Sequence, residues 1–475
     1  MQIKKNHNVV SCCVSGTLVA VCLAIAGCGG GGSGGSVGGV GGGGQGHPGS
    51  GAGAGLSPGL IERASLAGVD TEANFQSQKP AVDSIGRYVA FESDATNLVA
   101  GDTNAVRDIF LRDTELKTTQ RVSQESGGAV QADGSSFSAA ISSDGRYVAF
   151  ESLAINLVAT DTNASRDIFL HDTLNDTTRR VSVSSANDQS DADSFDAAVS
   201  PDGRYVAFES DAINLLASGD TNFLRDVFLH DTTAGVTARV SVNSDAEQAI
   251  GGDSAAAAVS SNGSYVAFQS AATNLVPGDT NGVFDGDTNA VFDIFRRDIV
   301  AGETIRVSVT SLGAQANFQS VNPDISADGR YVVFESDASD LVTDDTNAVR
   351  DIFVRDTVLN TTERVSISDG ELQANFESSV GVISDDGRYV AFQSVATNLV
   401  SPATNGLTHI FVRDRVAGTT VLFSADDAGT QGNLASRFAA LSGLGTRVAF
   451  ESDATNLVTG DLNATTDVFV RDTTN

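Results

Sequence analysis

Beyond residue 56 the apolar positions do not follow a helical period. They cluster in short runs of four to seven residues, separated by Gly, Asp, Asn and Ser. One stretch shows the pattern. A small run, Ala139-Ala140-Ile141-Ser142, is followed by a Ser-Asp-Gly turn at Ser143–Gly145. Further runs lie at Arg146–Ser152, Asp167–His171 and Thr178–Val183. In the second and third runs apolar residues are adjacent, as in Val148, Ala149 and Phe150, so both faces of those strands seek burial. The first run carries small side chains, which suits a crowded strand near an axis.

This four-run unit recurs. The glycine of the string Gly-Arg-Tyr-Val-Ala-Phe-Glu-Ser falls at Gly86, Gly145, Gly203, Gly263, Gly329, Gly387 and Gly445. The intervals are 59, 58, 60, 66, 58 and 58. The long interval holds a tandem duplication, GDTNGVFD at Gly278–Asp285 and GDTNAVFD at Gly286–Asp293. Four strands repeated seven times predict an all-β chain over residues 57–475, a seven-bladed β-propeller of four-stranded blades. The seventh repeat ends without its fourth run. Ile61-Glu62-Arg63-Ala64-Ser65 matches the fourth run of the fifth repeat, Thr362-Glu363-Arg364-Val365-Ser366. An N-terminal strand over residues 60–65 is therefore expected to complete the last blade and cover its open edge.

Ser200-Pro201-Asp202-Gly203-Arg204-Tyr205-Val206-Ala207-Phe208 resembles the WD40-like (PD40) repeat of TolB-type propellers, and the resemblance extends over all seven repeats. It implies the fold and says little of function. TolB proteins carry an extra N-terminal domain and work with outer-membrane partners. Prolyl-oligopeptidase relatives set a hydrolase domain beside such a propeller. Neither domain is read in this sequence.

Ahead of the repeats, Lys4 and Lys5 precede an apolar stretch from Val9 to Ala26, the order of a secretory signal. Ile25-Ala26-Gly27-Cys28 resembles a lipoprotein lipobox, which implies a signal peptide over residues 1–27 and lipidation of Cys28. Ordinary cleavage after a small residue and an uncleaved anchor are the competing readings. Residues 28–56 are Gly-rich and read as a tether. The location expected is the cell envelope, as an outer-membrane lipoprotein facing the periplasm or the cell surface, with Gly29 rather than Asp after the cysteine.

Formal net charge is -31, which argues against nucleic acid as a partner. All four cysteines lie within the first 28 residues, so the repeats hold no disulfide.

In sequential antiparallel blades the long connections, second to third strand and fourth to next first, share one face. Function on a propeller concentrates where such loops gather. That face carries the string Asp-x-Asn-x-x-x-Asp, at Asp102/Asn104/Asp108 and, in tandem, at Asp279/Asn281/Asp285 and Asp287/Asn289/Asp293. It recurs from Asp161, Asp220, Asp345 and Asp461. Alternating carboxylate and amide oxygens suit Ca²⁺. Equally, Asp and Asn shape turns through their own side chains, and the last Asp can pair with a neighbouring Arg. The sixth repeat has Ala403, Asn405 and His409 instead. His171 and His230 read as ordinary strand residues, and Glu92, Glu151, Glu209, Glu335 and Glu451 as blade-to-blade contacts. No nucleophile–base pair stands out, so no enzyme is expected. The sequence points to a monomeric binding or scaffold module taking protein or glycan partners on the long-loop face. The alternatives are a calcium-stabilised structural propeller and a propeller hydrolase or lactonase with a central metal.

Overall fold

The computed structural model describes residues 56–279 and 291–473. The expected signal peptide, Cys28 and nearly all of the tether lie outside the described residues, as do Asn281, Asp285, Asp287 and Asn289. Every described element is a strand. Seven antiparallel four-stranded sheets follow one another along the chain, and one two-stranded ribbon joins Leu66–Ala67 to Thr71–Glu72. The first blade comprises Ser77–Val82, Tyr88–Ser93, Asp108–Asp113 and Thr118–Arg121. The protein is a seven-bladed β-propeller.

The ring closes as the repeat arithmetic requires. Ile61–Arg63 pairs antiparallel with the third strand of blade seven, Asp467–Asp472, with Ile61 opposite Arg471 and Arg63 opposite Phe469.

The core lies between blades. Ala90, Ile109 and Leu111 of blade one pack with Val148, Phe150 and Phe169 of blade two. Within each blade two phenylalanines stack, as Phe91 on Phe110 at 6.0 Å between ring centroids. This is why apolar residues are adjacent in the middle strands: each blade buries both faces.

The Gly-Arg-Tyr string welds neighbours together. Gly203 turns at φ +71°, and a Cβ there would come within 2.0 Å of the Tyr147 ring of the preceding blade. All six tyrosines of the chain are used in this way, and Arg447 takes the tyrosine's place against Gly86 where blade seven meets blade one.

Two boundaries differ from the sequence reading. In blade two the first strand is Ser136–Ile141, starting three residues before Ala139. It carries a bulge between Phe137 and Ala140, which hides it from a period-2 reading. The fourth strand is Thr177–Arg180 and ends before Val183, because the chain bends and Val183 bridges to Gln189 instead.

Candidate functional site

The loop that leads into each first strand and the loop between second and third strands are laced together on one face. In blade one, Asn74 Nδ2 donates to Thr96 Oγ1, and Thr96 N donates back to Asn74 Oδ1. The same clasp joins Asn317 to Ser339, Asn375 to Thr397 and Asn433 to Thr455. The residue after each of these asparagines is large, apolar and exposed: Phe75, Phe318, Phe376 and Leu434. Blades two and three have Gly134 and Ala192 there, and the clasp residue of the facing loop becomes exposed Ile155 or Ile213. Blade four contributes Ile250. Every blade therefore offers at least one large apolar side chain to the long-loop face, and Phe223 and Leu462 add to those of blades three and seven. The Asn-Phe string was visible in the sequence; its exposure was not.

The aspartate string lies in the same loops, beneath the surface. In five of the six blades that carry it, its first and last carboxylates both pair with one arginine, the last residue of the fourth strand. Asp161 and Asp167 lie 3.5 and 3.2 Å from Arg180. Asp220 and Asp226 lie 3.3 and 3.2 Å from Arg239. In blade five the arginine is Arg364, set between Asp345 and Asp351. In blade seven it is Arg63, supplied by the N-terminal strand to Asp461 and Asp467. Blade four resolves its duplication simply: Asp279 from the first string and Asp293 from the second both reach Arg306, at 3.0 and 3.5 Å. In blade one Asp102 faces Arg121 at 3.6 Å, while Asp108 accepts from Ser123 Oγ and Asn104 Nδ2. Asn104 also donates to Ala132 O, pinning one loop to the other. A guanidinium thus occupies the point on which the carboxylates converge. Among the described residues there is no group of three or more His, Cys, Asp or Glu arranged to hold a metal.

Burial raises the last carboxyl of the string. It pushes Asp108, Asp226, Asp293, Asp351 and Asp467 up to about 6, against the pull of the nearby arginine and hydroxyl. Blade six lacks all three charges together. Ala403 and His409 replace the aspartates, and Leu422 replaces the arginine. His409 is held by Ser424 Oγ and Asn405 Oδ1, and burial lowers it to about 4, so it is neutral. His171 and His230 face Thr178 and Thr237 within their own blades.

The recurring glutamates join blades, as expected. Glu92 accepts the backbone N–H of Ser138 in the next blade and pairs with Arg107 at 2.9 Å. Glu451 accepts from Lys79 N across the ring closure, and Gln269 and Gln393 do the same for Asn322 and Phe438.

The strand position that supplies these N–H groups lines the axis. It lies at one place in the bulge of each first strand and is occupied by Lys79, Ser138, Asp196, Ala256, Asn322, Val380 and Phe438, all with φ between +42° and +52°. Together with their neighbours they enclose an axial channel of about 460 Å³. Lys79 Nζ leans to Ser138 Oγ at 3.5 Å. Asp196 hydrogen-bonds Glu209, which burial and this neighbour push up to about 8. Asp324 also lines the channel, with its oxygens taken by the N–H groups of Ile325 and Ile383.

No family model and no curated protein matches the chain. Solved structures that it is similar to include a putative TolB from Agrobacterium tumefaciens, at 15% identity over 75% of this chain and 94% of that one, TM-score 0.39. Another is the β-propeller domain of the Trilobed protease from Pyrococcus furiosus, at 11% identity over 80% and 91%, TM-score 0.48. A third is an oligogalacturonate lyase in complex with manganese, at 11% identity over 88% and 98%, TM-score 0.46. At these identities the likeness concerns the fold, and the seven-blade ring itself rests on the strand pairing described above.

Proposed function

We propose that this chain is a non-enzymatic binding module of the bacterial envelope, anchored through Cys28, which docks a protein partner on its long-loop face. The observation that carries the reading is the set of exposed apolar side chains on that face, with at least one from every blade. The turns of the opposite face also expose apolar residues, such as Leu116 and Val300, but there one turn supplies them. On the long-loop face an apolar side chain is kept by different means, Phe, Leu or Ile from one loop and Ile from the other, which favours selection for contact. A protein is favoured over a glycan by the aromatic inventory. Tryptophan is absent, and all six tyrosines are stacked on glycines of neighbouring blades, so the face offers phenylalanine and aliphatic groups. A binding role is favoured over catalysis because the repeated carboxylates already have work. The glutamates hold neighbouring blades, and the aspartates hold arginines.

The test is a cross-linking pull-down from envelope extracts. The triple variant Phe75→Ser/Phe318→Ser/Phe376→Ser is expected to keep the parent's melting profile and lose the captured partner. A control with Leu116→Ser/Val300→Ser/Val416→Ser, exposed positions in the turns of the opposite face, is expected to retain it. Equal capture by both variants overturns the reading. The anchor is tested separately: Cys28→Ala is expected to move the protein to the soluble fraction or block its processing.

A further inference from the structure

The repeats are close to identical in their middle strands, yet the bulge position on the axis carries seven different residue types. A purely structural bulge with positive φ calls for Gly, Asn or Asp, which adopt that conformation at least cost. Asn322 and Asp196 meet that expectation; Lys79, Ser138, Ala256, Val380 and Phe438 do not. Val380, β-branched at φ +51°, is the least suited of all. Backbone strain retained at one level of a cavity, with a different side chain at each point, directs attention to what those side chains present.

They divide by chemistry around the ring. Lys79, Ser138 and Asp196 belong to three consecutive blades, and Val380 and Phe438 to the two that complete that side of the circle. Ala256 and Asn322 lie between these groups. Four of the glutamates behind the wall pair with their own arginines, as Glu151 does with Arg166 at 2.8 Å, while Glu451 accepts the backbone N–H of Lys79. Among the described residues Lys79 and Asp196 have no ion-pair partner, and the other carboxylate on the wall, Asp324, has both oxygens taken by backbone N–H groups, so Lys79 and Asp196 are the charges left to meet a ligand. Asp196 hydrogen-bonds a second acid, Glu209, whose raised value keeps the shared proton on Glu209 and the charge on Asp196. The volume falls in the range of small-molecule sites, roughly 300–1,000 Å³.

We propose that the axial channel binds a small zwitterion bearing an apolar group, the chemistry of a free amino acid with a hydrophobic side chain. The carboxylate meets Lys79 Nζ and Ser138 Oγ. The ammonium meets the Asp196 carboxylate, with the Asn322 amide as the further polar group on the wall. The apolar group lies against Val380 and Phe438. The site is independent of protein docking at the rim, so either can fail without the other.

The experiment is titration calorimetry on the full chain with four probes: L-phenylalanine, L-leucine, N-acetyl-L-phenylalanine and L-phenylalaninamide. Phenylalanine and leucine are expected to bind, and each blocked form to bind at least tenfold more weakly, roughly the loss of one charge-assisted contact. Asp196→Asn is expected to weaken phenylalanine about tenfold while leaving N-acetylphenylalanine unchanged. Lys79→Met is expected to do the same with phenylalaninamide as the unchanged probe. Both side chains project into the channel, so the variants are expected to keep the parent's melting temperature. Absence of binding by both free amino acids at millimolar concentration overturns the proposal. Blocked forms that bind as well as the free amino acid overturn it too, as do variants that weaken every probe alike.

Discussion

Blade six and the other six blades solve the same packing problem with different chemistry. Six blades bury two aspartates against an arginine between the same loops. Blade six buries Ala403, His409 and Leu422 there, and keeps the same strands and register. The loops need something to fill that space and fix Asn405 or its counterparts; they do not need charge. The charges are also lost together, because a single buried carboxylate without its arginine costs more than the whole group contributes.

The largest effect should come from breaking one charged group in half. Arg364→Leu leaves Asp345 and Asp351 buried with no counter-charge and is expected to cost about 3–5 kcal/mol in denaturant unfolding. Adding Asp345→Ala and Asp351→His, which recreates blade six in blade five, is expected to recover most of it. A triple variant no more stable than the single one would show that blade six relies on something else.

Next in size is the response to acid. Between the ordinary carboxyl value, about 4, and about 6, the folded chain holds protons on Asp108, Asp226, Asp293, Asp351 and Asp467 that the unfolded chain does not. Stability therefore rises as pH falls through this window. The aspartates lowered by arginine, such as Asp231 at about 2, lose their contribution only below the window. The melting temperature is expected to be several degrees higher at pH 5 than at pH 7.5, and a flat or falling profile would contradict the burial of these groups.

Three buried histidines pull the other way, His171 in blade two, His230 in blade three and His409 in blade six. His409 is held near 4, below its unfolded value of about 6.5, so its contribution is present at neutral pH and lost on acidification. His409→Asn is expected to steepen the gain between pH 7.5 and pH 5, by less than the whole effect. The smallest effect expected is from Ca²⁺. With an arginine already between the carboxylates, millimolar Ca²⁺ against chelator is expected to leave the melting temperature unmoved. A shift abolished by Asp102→Ala would mean that metal competes with Arg121.

Much of this comparison is legible in the amino-acid sequence. Glycine spacing gave the blade number, because a turn at positive φ against a neighbour's ring tolerates little else. Arg63 could be aligned with Arg364, which predicted the closing strand. The pairing of aspartate with arginine was half visible: an arginine partner was foreseen, but not that one guanidinium would serve both ends of the string. That depends on the fourth strand ending at Arg180 and its counterparts, a boundary set by a bend rather than by composition. The axial position stayed hidden for a related reason. Lys79, Asp196 and Phe438 share no residue type, and non-glycine residues carry no sequence mark of positive φ.

The closing strand also decides where the ring is mechanically weakest. Six blades are continuous hairpins, and tension along the chain cannot separate their strands without first opening the ring. Blade seven is closed by the paired residues Ile61–Arg63, by backbone hydrogen bonds from Ser57, Gly59, Ala64 and Ser65 to its third strand and the residue after it, and by the contacts of Arg63 and Ser65 with Asp467. Any pull on the chain ahead of Leu56 enters the structure through this seam, at its first residue. Forced opening is governed by rate rather than by overall stability. A drag on the N-terminal side would thus peel one short strand and loosen the last blade while the other six stay folded.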